Sequence, residues 1–442
     1  MKRYRLSILF VLALLGVKAQ EADTMVISIE DAVALTLEKN FDITVSKKNA
    51  KVASNNNQPG NADYLPTVSS NASYNYAIDN TDIEFASPNQ DPINATGAVT
   101  ETLNASVNLN YNVFSGGSRN YTMQRLRALD YQGQLQLRQA MEQAVITAIV
   151  QFLDAANQFK TLELNQKAVE ISQDRYRRAR ENYEYGVFGK LELLNAEVDL
   201  RNDSTSLFQT RLSYQKALKT LVNSMGLDPE ATYKMSPAFD VKSEIQLGQL
   251  MEEALSSNAN YLVDRNAITT SELDLKLTKS QWLPRLDLSA AYSYNNQSFD
   301  ANFIRTNQSN GFNGGITLSY DLFNGNNRKR QEQNAQLELE SQQATLQKTE
   351  YQLKTDILNT YNDFQTSLEL MALAERNIVA AEANYERSQE AFSAGQITGI
   401  QLREAQLNLL NNLNQLEIQR IQAKVAEVNL HFYAGMLVSA GE

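Results

Sequence analysis

From Leu103 to Val113 the chain alternates without a break. Leu103, Ala105, Val107, Leu109, Tyr111 and Val113 fall on one parity, and Asn104, Ser106, Asn108, Asn110 and Asn112 on the other. A period of two gives a β-strand one apolar and one polar face. The segment Val68 to Tyr76 follows the same rule, as do Leu286 to Asn295 and Ile316 to Leu322. Elsewhere the period is that of a helix. Val145, Ile149, Phe152, Ala156 and Phe159 step by 4, 3, 4, 3, and Ile357, Tyr361, Phe364, Leu368 and Met371 repeat the steps, which is the seam of a coiled coil. The two long helices predicted around these seams cover Ser118 to Tyr185 and Arg328 to Ala394, each roughly 100 Å at 1.5 Å per residue. Glycine-containing breaks, Gly186-Val-Phe-Gly189 and Gly395-Gln-Ile-Thr-Gly399, end them, and shorter helices return to about Met225 and Ala434.

These patterns occur twice. Phe114, Gly186 and Gly226 return 209 residues later as Phe323, Gly395 and Gly435, while Tyr64-Leu-Pro returns as Trp282-Leu-Pro and Asn40 as Asn258, both displaced by 218. The first copy therefore carries nine more residues between Pro66 and Phe114, in a loop between strands. In each copy a pair of short helices (29–57 and 247–279) meets an aromatic-Leu-Pro step, where proline ends helical hydrogen bonding. The expected organisation is a first repeat at 20–226, with strands near 64–77 and 103–114 and a helical hairpin near 118–225. A linker at 227–248 follows, then a second repeat at 249–442, with strands near 284–296 and 311–323 and a hairpin near 328–434.

Strands of ten to twelve residues tilted near 45° span about 25 Å, the height of the apolar band of an outer-membrane barrel. A soluble antiparallel sheet with one wet face carries the same alternation. Two features favour the membrane. Aromatic residues bound both strand pairs (Tyr64, Trp282, Phe114, Phe323), and residues 1–19 have the cationic start, short apolar run and small residues of a secretory signal peptide. Four strands cannot close a barrel, and an open edge leaves backbone groups unsatisfied in hydrocarbon, so several chains are expected to share one.

Composition narrows the function. Loss of Lys2, Arg3, Arg5 and Lys18 with the signal peptide takes the net charge from −11 to −15, which argues against nucleic acid as a partner. With no Cys, one histidine (His431) and no glycine-rich phosphate loop after a strand, the chain offers little to an enzyme, and no cofactor or metal site is expected. A passive porin would devote most of its length to strands, whereas here they occupy roughly an eighth.

The tandem repeat, the aromatic-Leu-Pro step into a strand pair, Phe-x-Gly before each long helix, and Tyr183-x-x-Gly186-x-x-x-x-Leu191-Glu-Leu-Leu-Asn-Ala-Glu197 together resemble the TolC-like outer-membrane efflux proteins. The resemblance implies a mainly α fold with membrane β: long coiled-coil helices plus four strands, trimerising into a 12-stranded barrel and an α-helical periplasmic tunnel. It also implies an exit duct in outer-membrane lipid that performs no chemistry and works with a periplasmic adaptor (membrane fusion) protein and an inner-membrane transporter, exporting drugs or other small molecules. Type I protein secretion and heavy-metal efflux use ducts of similar appearance. By the same resemblance the adaptor docks at Gly186, Val187, Phe188 and Gly189 and at Gly395, Gln396, Ile397 and Thr398. The periplasmic gate corresponds to Glu192 and Asn195 and to Gln401 and Glu404. Ile397 stands where the family's gate-locking basic residue is expected. Glu404, repeated around a threefold axis, would favour bound cations, and lumen-facing Asp287 and Asp321 would add to that preference.

Overall fold

The computed structural model describes residues 26–86, 91–187, 189–301 and 304–438; the expected signal peptide, residues 1–19, lies outside them. The protein is mainly helical. A two-residue strand β1 (Val26–Ile27) leads into α1 (Ile29–Lys39) and α2 (Phe41–Asn56), then strands β2 (Thr67–Ile83) and β3 (Ile93–Ser115) and helices α3 (Ser118–Glu184) and α4 (Lys190–Ser224). β4 (Lys234–Met235) lies in the expected linker, and α5 (Leu247–Ser257), α6 (Ala259–Ser280), β5 (Arg285–Phe299), β6 (Thr306–Ser319), α7 (Asn327–Ser393) and α8 (Gly399–Tyr433) follow.

Asn40 and Asn258, the pair repeated at an offset of 218, share a structural task. Each separates a short helix from the next and caps the second one: Asn40 Oδ1 accepts from the backbone of Asp42 and Ile43 at 2.8 and 3.1 Å, and Asn258 Oδ1 from Tyr261 at 3.0 Å. Both are buried, where an unpaired amide would be costly. Asn258 spends its Nδ2 as well, donating to the Tyr433 carbonyl at 3.1 Å.

The long strands form one antiparallel sheet in the order β2-β3-β5-β6. Its register places Leu109 beside Val68 and Ala290, and Val107 beside Ser70 and Tyr292, so the apolar parities of all four strands share one face. β2 and β3 continue past the expected alternation, pairing Asp82 with Asn94 beyond a register shift at Asp79/Thr81, because backbone pairing does not require a two-faced side-chain pattern.

Two compact units are built from interleaved parts of the chain, each drawing on both repeats. Among the described residues, one takes 26–38, Ala148–Asp240 and Ala374–Ile421, and the other Lys39–Thr147, Val241–Leu373 and 422–438. The second contains the sheet and a core of large side chains, including Leu353, Ile357, Phe364 and Leu430 beside Leu250 and Ala254. Near that core Glu427, almost wholly buried, accepts from the Lys242 backbone at 3.0 Å and from Lys424 Nζ at 2.9 Å. His431, one turn further on α8, lies 3.4 Å from Lys242 Nζ.

Phe364 has no exposed surface, so Phe364→Ala should destabilise the protein by about 3–5 kcal/mol and Ile357→Val by about 0.5–1.5, read from thermal loss of the helical signal. Burial and the Lys242 ammonium hold the His431 imidazole below its ordinary 6.5. Its neutral form therefore stabilises the fold fully above 6.5, and that contribution declines as pH falls below 6.5 towards the lowered folded-state value. His431→Gln should flatten the acid side of a melting-temperature profile.

Candidate functional site

The ends of α3 and α7 are built alike. Gly186 donates to the Tyr183 carbonyl at 3.0 Å and Val187 to Asn182 at 2.8 Å; Gly395 donates to Phe392 at 3.0 Å and Gln396 to Ala391 at 2.9 Å. These are paired bonds of a left-handed helix cap, and φ is +76° at Gly186 and +73° at Gly395, a region that penalises any Cβ. Gly189 and Thr398 open the returning helices differently. Gly189 caps α4 without a side-chain bond. Thr398 and Gln401 form a reciprocal capping box: Thr398 N donates to Gln401 Oε1 at 2.9 Å and Gln401 N to Thr398 Oγ1 at 3.3 Å. Gln401 thus has a structural task that its place in the gate expectation did not reveal. Phe188 lies outside the described residues.

Glu192 and Glu404 have different surroundings. The Glu192 carboxylate lies against Gly399, the first residue of α8, in the space a Cβ there would take, at the positive end of that helix. Glu404 is exposed, and Asn195 is partly covered. In this way the first unit brings the two turns together: Glu192 from the first copy meets the start of α8 from the second.

Behind them the packing is thin. Buried positions here include Ala168, Ala179, Ala196, Ala374 and Ala405, and alanines let helices approach closely while burying little apolar area. Charged pairs fill the gap. Arg403 holds both Asp203 oxygens, with Nη1–Oδ2 at 2.8 Å and Nη2–Oδ1 at 2.5 Å, and Arg175 reaches Asp199 at 2.9 Å. Arg403 also donates to Gln406 Oε1 at 3.3 Å. The side chains of Asp203 and Arg403 are only 10% and 13% exposed, so neither tolerates loss of its partner.

α4 also carries an exposed apolar stripe. Leu191, Leu194, Val198, Phe208 and Leu212 are exposed at steps of 3, 4, 10 and 4, the spacing of a heptad seam with two positions, Arg201 and Thr205, occupied by polar residues. On α7 the exposed Leu337, Tyr351 and Leu358 recur at multiples of seven. Exposed apolar stripes of this kind are uncommon on surfaces that face water alone.

In the second unit the four boundary aromatics are all exposed, and two of them carry an arginine that the sequence reading missed. Arg119 lies 5.3 Å from the Tyr64 ring centre and 5.7 Å from that of Tyr111; Arg328 lies 4.7 Å from Trp282 and 5.8 Å from Tyr320. The two arginines are 209 residues apart, so the offset itself was the available signal. Arg119 Nη2 donates to the carbonyl of Val113 at 2.7 Å. Val113 is the residue that the β3–β5 register skips between Asn112 and Phe114, so the guanidinium satisfies a carbonyl left over at a bulge. On the polar face Asp287 receives Arg285 Nε at 2.9 and 2.7 Å and Asn112 Nδ2 at 2.8 Å. Its charge is already compensated, which weakens the expected contribution of Asp287 to cation preference.

The profile of the outer membrane efflux protein family matches residues 32–227 and 250–436, one segment in each repeat. The chain belongs to that family. Its fold is that of the CmeC outer membrane channel of Campylobacter jejuni, with a TM-score of 0.80 at 16% identity over 94% of this chain and 87% of that one. The outer membrane protein VceC of Vibrio cholerae gives 0.73 at 16% identity over 92% of this chain and 96% of that one. Alkaline protease secretion protein AprF of Pseudomonas aeruginosa is 22% identical over 187 residues, 42% of this chain, and the match spans only 38% of AprF. As an outer membrane efflux protein, the chain resides in the outer membrane and extends into the periplasm. The family is one of channels and not of enzymes.

Removing one partner of the buried pair, by Asp203→Ala or Arg403→Ala, should destabilise the helices around the turns by about 3–5 kcal/mol, whereas Asp203→Leu/Arg403→Met together should recover much of the loss. Limited proteolysis near residues 186–189 and 395–399 would register the difference as faster nicking in the single variants alone.

Proposed function

We propose that three copies of this chain form a 12-stranded barrel continued by an α-helical periplasmic tunnel, and that the assembly is the exit duct of a tripartite efflux system. The observation that carries the reading is a four-stranded sheet with one apolar face and unpaired edges at β2 and β6. In hydrocarbon those edges must be paired, and the only strands of matching length and face on hand are those of further copies. The exposed seams of α4 and α7 supply helical surfaces for the same association. The duct performs no chemistry; an inner-membrane transporter drives drugs or other small molecules through it. A periplasmic adaptor docks at Gly186, Val187, Phe188 and Gly189 and at Gly395, Gln396, Ile397 and Thr398, while Glu192, Asn195, Gln401 and Glu404 line the gate.

The sequence likeness to AprF, a protease secretion protein by name, favours a second reading in which the cargo is a protein. The two differ in the pump that engages the turns, not in the duct.

The purified protein should have the mass of a trimer and show small, rare, cation-preferring openings in a planar bilayer. A soluble monomer without conductance would refute the shared barrel. Glu404→Gln should shift the reversal potential towards zero in a salt gradient. Gly186→Val with Gly395→Val should leave trimers intact but reduce crosslinking to an adaptor, because both positions have a positive φ.

A further inference from the structure

The two strand–helix junctions are equivalent by the 209-residue offset, yet they differ in charge. Beside Arg119 the chain has Asn120 and Tyr121; beside Arg328 it has Lys329 and Arg330. The stack of arginine on aromatic rings forms at both junctions, so the turn does not require the two additional cations. Their position is also unfavourable by itself. Three consecutive cations occupy the first turn of the 67-residue α7, where the helix macrodipole is positive and no acidic residue is present.

The local partners leave most of this charge uncompensated. Arg328, 6% exposed, donates to the carbonyls of Gln281 and Asp321, while its Nε is buried without an acceptor. Arg330 Nη1 donates to the Gly325 carbonyl at 3.0 Å, a neutral group. Glu332 is engaged by Trp282 Nε1 at 3.1 Å and by Lys279 at 4.0 Å, and Asp287 by Arg285. Asp321 is the remaining acid nearby in sequence. Lys329 and Arg330 are both exposed.

Directly before this basic turn lie Leu322 and Phe323, 88% and 77% exposed, with Trp282 at 42%. Leu322 and Phe323 follow the end of β6, and Leu322 keeps the parity of Leu318, which pairs with Leu286 in the last apolar row of the sheet. An apolar band that ends in exposed aromatic and aliphatic groups, followed at once by unpaired cations, is complementary to acyl chains ending in a phosphate.

We propose that the second junction binds the headgroup of an anionic phospholipid in the periplasm-facing leaflet, with Lys329 and Arg330 contacting the phosphate and Trp282, Leu322 and Phe323 lying against the chains below it. The first junction lacks the two cations and has no such preference. The inference rests on the outer-membrane location and not on the exit-duct reading.

Trp282 is the only tryptophan in the chain, so tryptophan emission, excited where tyrosine does not absorb, reports on this junction alone. The full-length protein, reconstituted in vesicles of zwitterionic lipid containing a minor fraction of brominated lipid, should be quenched more strongly when the brominated lipid is phosphatidylglycerol than when it is phosphatidylcholine. Lys329→Gln/Arg330→Gln should weaken that preference roughly tenfold in effective lipid affinity. If the double variant does not assemble, raised ionic strength applied to the wild-type protein should erase the preference while leaving quenching by phosphatidylcholine in place. Equal quenching by the two lipids in the wild type would overturn the proposal, as would no quenching by either. Conductance and oligomeric mass, measured on the same vesicles, report on the duct separately.

Discussion

Backbone groups that meet hydrocarbon must be paired, and most of this architecture follows from that requirement. Four strands with a uniform apolar face satisfy it along their length but not at β2 and β6, where the sheet ends. The protomer is therefore incomplete as a membrane structure. The trimer proposed above removes both edges at once, and it also covers the apolar stripes that α4 and α7 leave exposed. At the foot of the sheet the same requirement recurs on a smaller scale. A bulge at Val113 frees a carbonyl, and Arg119 takes it while lying over two aromatic rings.

Both units bury large apolar side chains, Phe152, Leu153, Leu221 and Met225 in the first and Phe364, Ile357 and Leu430 in the second, but the packing changes near the glycine turns. Between α5, α7 and α8, Phe364, Ile357, Leu353 and Leu430 form a core in which apolar burial dominates. Near the glycine turns the buried residues are largely alanine, and the helices are joined by Asp203–Arg403 and Arg175–Asp199. A bidentate buried pair holds a defined geometry but contributes less net stability than a packed apolar core, since desolvation offsets much of the attraction.

The strands and long helices were legible because each rests on a local period. Leu103 to Val113 must present two faces whatever surrounds it, and the Gly186 and Gly395 breaks terminate helices through backbone conformation alone. Arg119 and Arg328 escaped notice although they obey the repeat, because a cation at the start of a helix reads as ordinary surface until the ring above it is placed. Gln401 carried the opposite ambiguity. Its alignment with a gate position was visible, but so was its spacing of three from Thr398, and the hydrogen bonds show the capping role.

The sequence by itself determined the periods, the duplication and the points where one period changes to the other, since these depend on residues close along the chain. Tertiary structure decided which distant residues meet: Asp203 with Arg403, Glu192 with Gly399, Asp287 with Asn112. It also decided that the compact units cut across the repeats, because α3, α7 and α8 each supply residues to both. A periodic pattern specifies the face a helix will bury but not the helix it will meet, and that choice lies in shape and charge complementarity between segments two hundred or more residues apart.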